Sequence, residues 1–254
     1  MIIFGDAIMN RLLEEKELWQ PFQKAYTAVN FAVAGEKTDT LLYRIRYSDW
    51  NLLSTGKEGM RDESSPLVVA IMIGTHDVGN GNSVEQVVAS IDAVVQECIV
   101  KIPLLSNIFV LSILPRALDS FNSMIAKINK RINEIYADTK LLNGAVTAVD
   151  LTPLFKTKDG AIKVNMYLAD RFHPSTQGYN NLIRAVRPLF DEIYVAHKVS
   201  IPARNNIDIG NGSLRGTISS ILPSSTEPAR SMTKDLLTMS DSLFKGLQDT
   251  LDEQ

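Results

Sequence analysis

Apolar residues along this chain follow two alternating rhythms. Short, almost unbroken apolar runs occur at residues 2–5, 28–33, 67–73, 107–114 and 144–149. Runs with so little polar alternation predict strands buried on both faces, as in a parallel sheet. Between them, apolar residues recur every three to four positions, which predicts helices over 7–16, 38–46, 83–101 and 120–139. A last helix is predicted from residue 175 to about 197, interrupted or kinked near Pro188, and His197 is expected past its final turn. Strands and helices taking turns in this order predict a three-layer α/β/α sandwich around a five-stranded parallel sheet.

The rhythm breaks after residue 197. Residues 198–230 are rich in Ser, Asn, Gly and Pro without periodicity and read as a flexible linker. In 231–254, Leu236, Leu237, Leu243, Phe244, Leu247 and Leu251 recur at helical spacing opposite a charged face. We therefore expect one domain over 1–197, a linker, and an amphipathic helical tail that docks either back onto the domain or, as the unstructured linker favours, onto a partner.

Composition narrows the function classes. A chain of 254 residues, 45% of them apolar, can bury one full core. With a formal net charge of −3, nothing suggests a basic surface for nucleic acid. The single cysteine, Cys98, excludes an internal disulfide and falls in an apolar helical pattern, so a buried packing role in a reducing compartment is expected. No apolar run is long enough to span a bilayer, and Gly5 and Asp6 interrupt any leader-like stretch, so the expected location is cytoplasmic.

Ligands of such sheets bind beyond the carboxyl ends of the strands. The chemistry-bearing segments fall there: Gly5-Asp6-Ala7, Ala34-Gly35-Glu36, Gly74-Thr75-His76-Asp77, and the loop from Asp170 to His173. No glycine-rich phosphate loop follows the first strand, which argues against a nucleotide or flavin cofactor. His76, His173 and Asp170 lack metal-ligand spacing, so neither cofactor nor metal is expected.

Taken in order, these four segments resemble the blocks of the SGNH (GDSL-type) hydrolases, a flavodoxin-like α/β/α family. Within it, the chain resembles the catalytic alpha subunits of intracellular type I platelet-activating-factor acetylhydrolase. The resemblance covers residues 1–195 or so, and Leu114-Pro115-Arg116, Asn129 to Asn133 and Met166-Tyr167 add to it. It implies that Ala7 stands where the family carries its nucleophilic serine, with its backbone N–H as an oxyanion donor. It also implies that Gly35 supplies a second amide, that His76 replaces the oxyanion asparagine, and that Asp170 and His173 form the proton-relay pair. In such enzymes the histidine takes the serine proton while the aspartate fixes its tautomer. An alanine methyl cannot attack a carbonyl. Thr75 and Ser112 are not expected to project where residue 7 does. His76 remains open between a substituted donor, a plug in the acyl pocket and a hydrogen-bonded partner of Asp77.

The first expectation is thus a degenerate esterase acting by binding. Its ligand would be a small acyl or acetyl ester, or a protein partner. The resemblance implies a homodimer or a heterodimer with a related subunit, and a WD-repeat regulatory partner. The alternative is an active serine esterase, hydrolysing acetyl or lipid esters, in which a serine at position 7 has been exchanged for alanine.

Overall fold

The computed structural model describes residues 1–53, 65–117, 119–137 and 141–200. The expected tail helix and all but the first residues of the expected linker lie outside the described residues. Five parallel strands form the sheet: β1 (Ile2–Gly5), β2 (Val29–Asn30), β3 (Leu67–Met72), β4 (Leu105–Leu111) and β5 (Val146–Val149), in the order β2-β1-β3-β4-β5. This is the flavodoxin-like order, with its switch point between β1 and β3.

Each strand divides its side chains between two cores, which is why the sequence shows runs and no alternation. Ile2, Phe4, Val69, Ile71, Ile108 and Val110 face one core, closed by α3 (Thr38–Tyr47), α5 (Val84–Lys101) and α6 (Asn122–Tyr136). Ile3, Val68, Ala70, Met72, Phe109 and Leu111 face the other. That core is closed by α1 (Ala7–Arg11), α2 (Lys16–Tyr26), the short α7 (Thr152–Phe155) and α8 (Thr176–Ser200). One further short helix, α4 (Thr75–Gly79), follows β3 at the edge of the candidate site. Cys98 is buried in the first core, where burial pushes its thiol pKa well up.

Several expected boundaries shift. The helix expected over 7–16 ends at Arg11 and passes through a 3-10 turn at Leu12–Glu14 into α2, a helix that the apolar pattern does not announce. Trp19, Phe22 and Tyr26 of α2 pack edge-on and tilted against one another and against Phe190, and this aromatic packing sustains a helix with Pro21 inside it. Helix α8 runs to Ser200 without the interruption expected at Pro188, so His197 lies within it. Val186 and Phe190, both buried, hold it to the sheet on either side of the proline. β2 is shorter than the apolar run that announced it. The backbone nonetheless follows β1 further, Phe31 N–H donating to Ile3 O at 2.8 Å and Val33 N–H to Gly5 O at 2.9 Å.

Gly5 ends β1 where no side chain fits. A Cβ there would lie 2.6 Å from the Met72 carbonyl oxygen and 2.8 Å from Met9 Cγ. Gly35, at φ +81°, has open space around the same atom. Gly5→Ala should therefore destabilise the fold by about 1–3 kcal/mol through overpacking. Gly35→Ala should cost only about 1–2 kcal/mol of left-handed backbone strain. Urea unfolding of the two variants checks this. Equal losses accompanied by an unchanged Gly5→Ala structure would contradict it.

Candidate active site

All five residues picked out in the sequence lie on loops or helix starts beyond the carboxyl ends of the strands. Ala7 begins α1 directly after β1 and is half-buried. The preceding Asp6 is the N-cap, its Oδ1 accepting from Ile8 N–H at 3.0 Å. Hydrogen bonds tie this turn to both neighbouring blocks. Asn10 Nδ2 donates to Ala32 O at 2.9 Å and Asn30 Nδ2 to Met9 O at 2.7 Å, which docks α1 on the segment leading to Gly35. Tyr179 Oη donates to Ile8 O at 2.7 Å, which fixes the start of α8, and the loop before it, against α1.

Gly35 lies exposed in a turn whose neighbour Glu36 is buried and paired with Arg44 at 2.6 and 2.7 Å. Arg44 also donates to Phe31 O at 2.8 Å, so the ion pair braces both sides of the glycine. Asp77 is likewise buried and accepts from Thr38 N–H at 3.1 Å and Thr38 Oγ1 at 2.6 Å. These bonds join the His76 block to the Gly35 block. Asp77 is accordingly not the partner of His76, whose Nε2 is buried without a hydrogen bond. The His76 ring instead meets Phe172 at a centroid distance of 5.9 Å, nearly edge-on. Burial first, then the Arg116 charge, holds its pKa below the ordinary value, so the ring is biased toward neutral.

Asp170 and His173 do meet. His173 Nδ1 lies 2.7 Å from Asp170 Oδ2, and Asp170 Oδ1 accepts from the N–H groups of Phe172 and His173 at 2.9 and 3.0 Å. Desolvation works against the carboxylate, but these hydrogen bonds prevail and keep its pKa below the usual range. With Nδ1 occupied, Nε2 is the ring atom left to exchange a proton. The hydroxyls weighed as substitutes are engaged elsewhere: Ser112 Oγ accepts from Leu151 N–H at 2.9 Å, and Thr75 Oγ1 accepts from Arg116 at 3.0 Å.

Two residues stand out that the sequence did not mark for this role. Arg116 bridges the loops: Nη2 donates to the Thr75 carbonyl, and its guanidinium lies between the rings of Phe121 (4.5 Å) and Phe172 (5.1 Å). Ala117 N–H donates to Arg171 O at 3.0 Å, and Tyr167 Oη donates to Pro115 O, so the Asp170–His173 loop rests on the loop that carries Arg116. The second is Asp6. It is almost fully buried, its Oδ2 has no partner, and burial raises its pKa to about 7, assisted by the charges of Glu36 and Asp77 and opposed by N–H donors of Ile8 and Thr75. Only a buried location makes an acid behave so, and burial is invisible in a local motif.

The comparisons place this geometry in a class. The GDSL-like lipase/acylhydrolase family matches residues 3–186, and the chain belongs to that family. It is similar to the platelet-activating factor acetylhydrolase IB subunit alpha1 of Bos taurus, 27% identical over 190 residues covering 74% of each chain. The alpha2 subunit of Rattus norvegicus is 26% identical over 195 residues, 76% of each. Among solved structures, a GDSL-like lipase of Bacteroides thetaiotaomicron superposes with a TM-score of 0.56 at 20% identity, covering 76% of this chain and 87% of that one, a likeness of fold.

The Asp6 carboxyl yields a test. Between the ordinary carboxylate range and about pH 7, the folded chain keeps a proton that the unfolded chain has released, so stability falls as pH rises through that window. Asp6→Asn keeps an acceptor for Ile8 N–H and removes the ionisation. Relative to the parent, its unfolding free energy should rise by about 1–3 kcal/mol between about pH 5 and about pH 8. Urea titrations at both pH values measure this, and a pH-independent difference would contradict it.

Proposed function

We propose that this chain is a catalytically silent acylhydrolase domain that binds a small acyl or acetyl-ester ligand without turning it over. The observation that carries the reading is the 2.7 Å His173–Asp170 pair, kept in a chain whose first strand turns into its helix at Ala7 and offers only a methyl group there. In this reading Asp170 orients His173, and His173 is a base with no hydroxyl to deprotonate. The amides of Ala7 and Gly35 are the oxyanion donors. His76, neutral and turned against Phe172, closes the space of the missing asparagine. Each absent or misplaced donor of this kind costs about 10²–10³ in rate, whereas loss of the nucleophile removes the covalent route altogether.

Two catalytic blocks depart from the family pattern at once, which supports a natural degenerate subunit over a single exchanged serine. The names of the relatives describe subunits of a larger enzyme. By extension, we place this chain as a partner of a related subunit, as a homodimer or beside an active paralogue, with a WD-repeat regulatory protein as a further partner. Among the described residues no helix is long and apolar enough to cross a membrane, and a cytoplasmic location fits the reading.

The test is hydrolysis of p-nitrophenyl acetate by the parent chain and by His173→Ala. Both should release product at the same low rate. Water attack assisted by the remaining donors supplies only about 10³–10⁴ over the uncatalysed reaction. Robust turnover by the parent that His173→Ala abolishes would overturn the proposal. Ala7→Ser separates the alternative reading: strong hydrolysis by this variant means that the pocket is intact and the lesion confined to one oxygen atom.

A further inference from the structure

Arg116 differs from the other arginines that the fold constrains. Arg44, more deeply buried, lies within 2.7 Å of both Glu36 oxygens, and Arg11, Arg46, Arg131 and Arg187 each face an acid. Arg116 has no carboxylate at ion-pair distance among the described residues, although it is half-buried. Desolvation pushes its pKa down, and only the charge of Asp6 acts in the opposite direction. An uncompensated cation in such a place is costly and needs a reason.

The surroundings hold this cation in one place. Its Nη2 is fixed on the Thr75 carbonyl and, at 3.0 Å, on Thr75 Oγ1. The guanidinium carbon lies over the rings of Phe121 and Phe172, contacts suited to a planar guanidinium. Gly79 leaves room beneath: a Cβ there would approach Nη2 to 3.5 Å and Nη1 to 3.8 Å. Nε is sealed without a partner, while Nη1 is not sealed and has no hydrogen-bond partner among the described residues. Every orphaned buried side-chain atom among the described residues belongs to this neighbourhood: Asp6 Oδ2, His76 Nε2 and Arg116 Nε. The groups around the guanidinium are the Thr75 hydroxyl, the His76 ring and the Phe172-His173 loop, whose acid Asp170 is spent on His173.

We infer that Arg116 receives the anionic end of the ligand, so that the site selects an acyl compound carrying an oxyanion, carboxylate or phosphoryl, near its acyl group. The inference rests on the acyl-binding reading above. It adds a charge requirement that the oxyanion hole alone does not impose, since amide donors suit neutral esters equally well.

Calorimetric titration of the full chain at low salt separates the two ideas, with three acetyl compounds that contain no ester. N-acetylglycine carries a carboxylate, N-acetylaminomethylphosphonate a phosphonate, and N-acetylglycinamide no charge. The charged compounds should bind about tenfold more tightly than the amide, the scale of one charge-assisted hydrogen bond. Arg116→Gln should bring the charged and neutral affinities together, and Arg116→Lys should keep part of the preference. The better of the two anions identifies the oxyanion source. Equal binding of all three by the parent would overturn the charge inference and leave the acyl site standing; this comparison holds even if Arg116→Gln fails to fold. Persistence of the preference in a folded Arg116→Gln would also overturn it. Binding of none would sink the acyl-site reading and the inference together.

Discussion

The close approach at Gly5 is the constraint on which the rest of the site depends. β1 ends with its backbone pressed between the Met72 carbonyl and the Met9 side chain, so the chain can leave the sheet only as a tight turn into α1. That turn fixes Asp6 as a buried cap and leaves residue 7 as the first position free to face solvent. The hydrogen bonds from Asn10, Asn30 and Tyr179 then draw the Gly35 segment and the start of α8 onto it. A nucleophile elbow and a binding turn need the same backbone.

Electrostatics divide the site into layers. Beneath the turn lie three buried acids, Asp6, Glu36 and Asp77. Arg44 neutralises Glu36, and Thr38 satisfies Asp77, while Asp6 is left to hold its proton up to about pH 7. Above it lie the His76 and His173 rings and the Arg116 cation, joined through Phe172.

Much of this is legible in the sequence, for identifiable reasons. Strands such as Leu67–Met72, buried on both faces, leave a continuous apolar run, whereas β5 at the sheet edge has Thr147 exposed and leaves a broken one. The Asp170–His173 pair is legible because both residues sit on one short loop. α2 escapes a local reading because its signal, Trp19, Phe22 and Tyr26, surrounds a proline and gains its support from Phe190, far away in sequence. Arg116 stands out in the sequence only as part of a Leu-Pro-Arg resemblance, because its contacts with Thr75 and Phe172 are tertiary. For His76 the sequence allows three roles, and the hydrogen bonds from Thr38 to Asp77 remove one of them.

The central claim is that the proton-relay pair still faces residue 7 and that the attacking atom is absent there. A fluorophosphonate probe tests this directly, because it reacts with a hydroxyl only when a neighbouring base activates it. Treated with the probe and mapped by mass spectrometry, Ala7→Ser should become labelled at residue 7 in a reaction that His173→Ala suppresses, and the parent chain should stay unlabelled. A folded Ala7→Ser variant that resists the probe, or a label whose appearance ignores His173, would contradict the account.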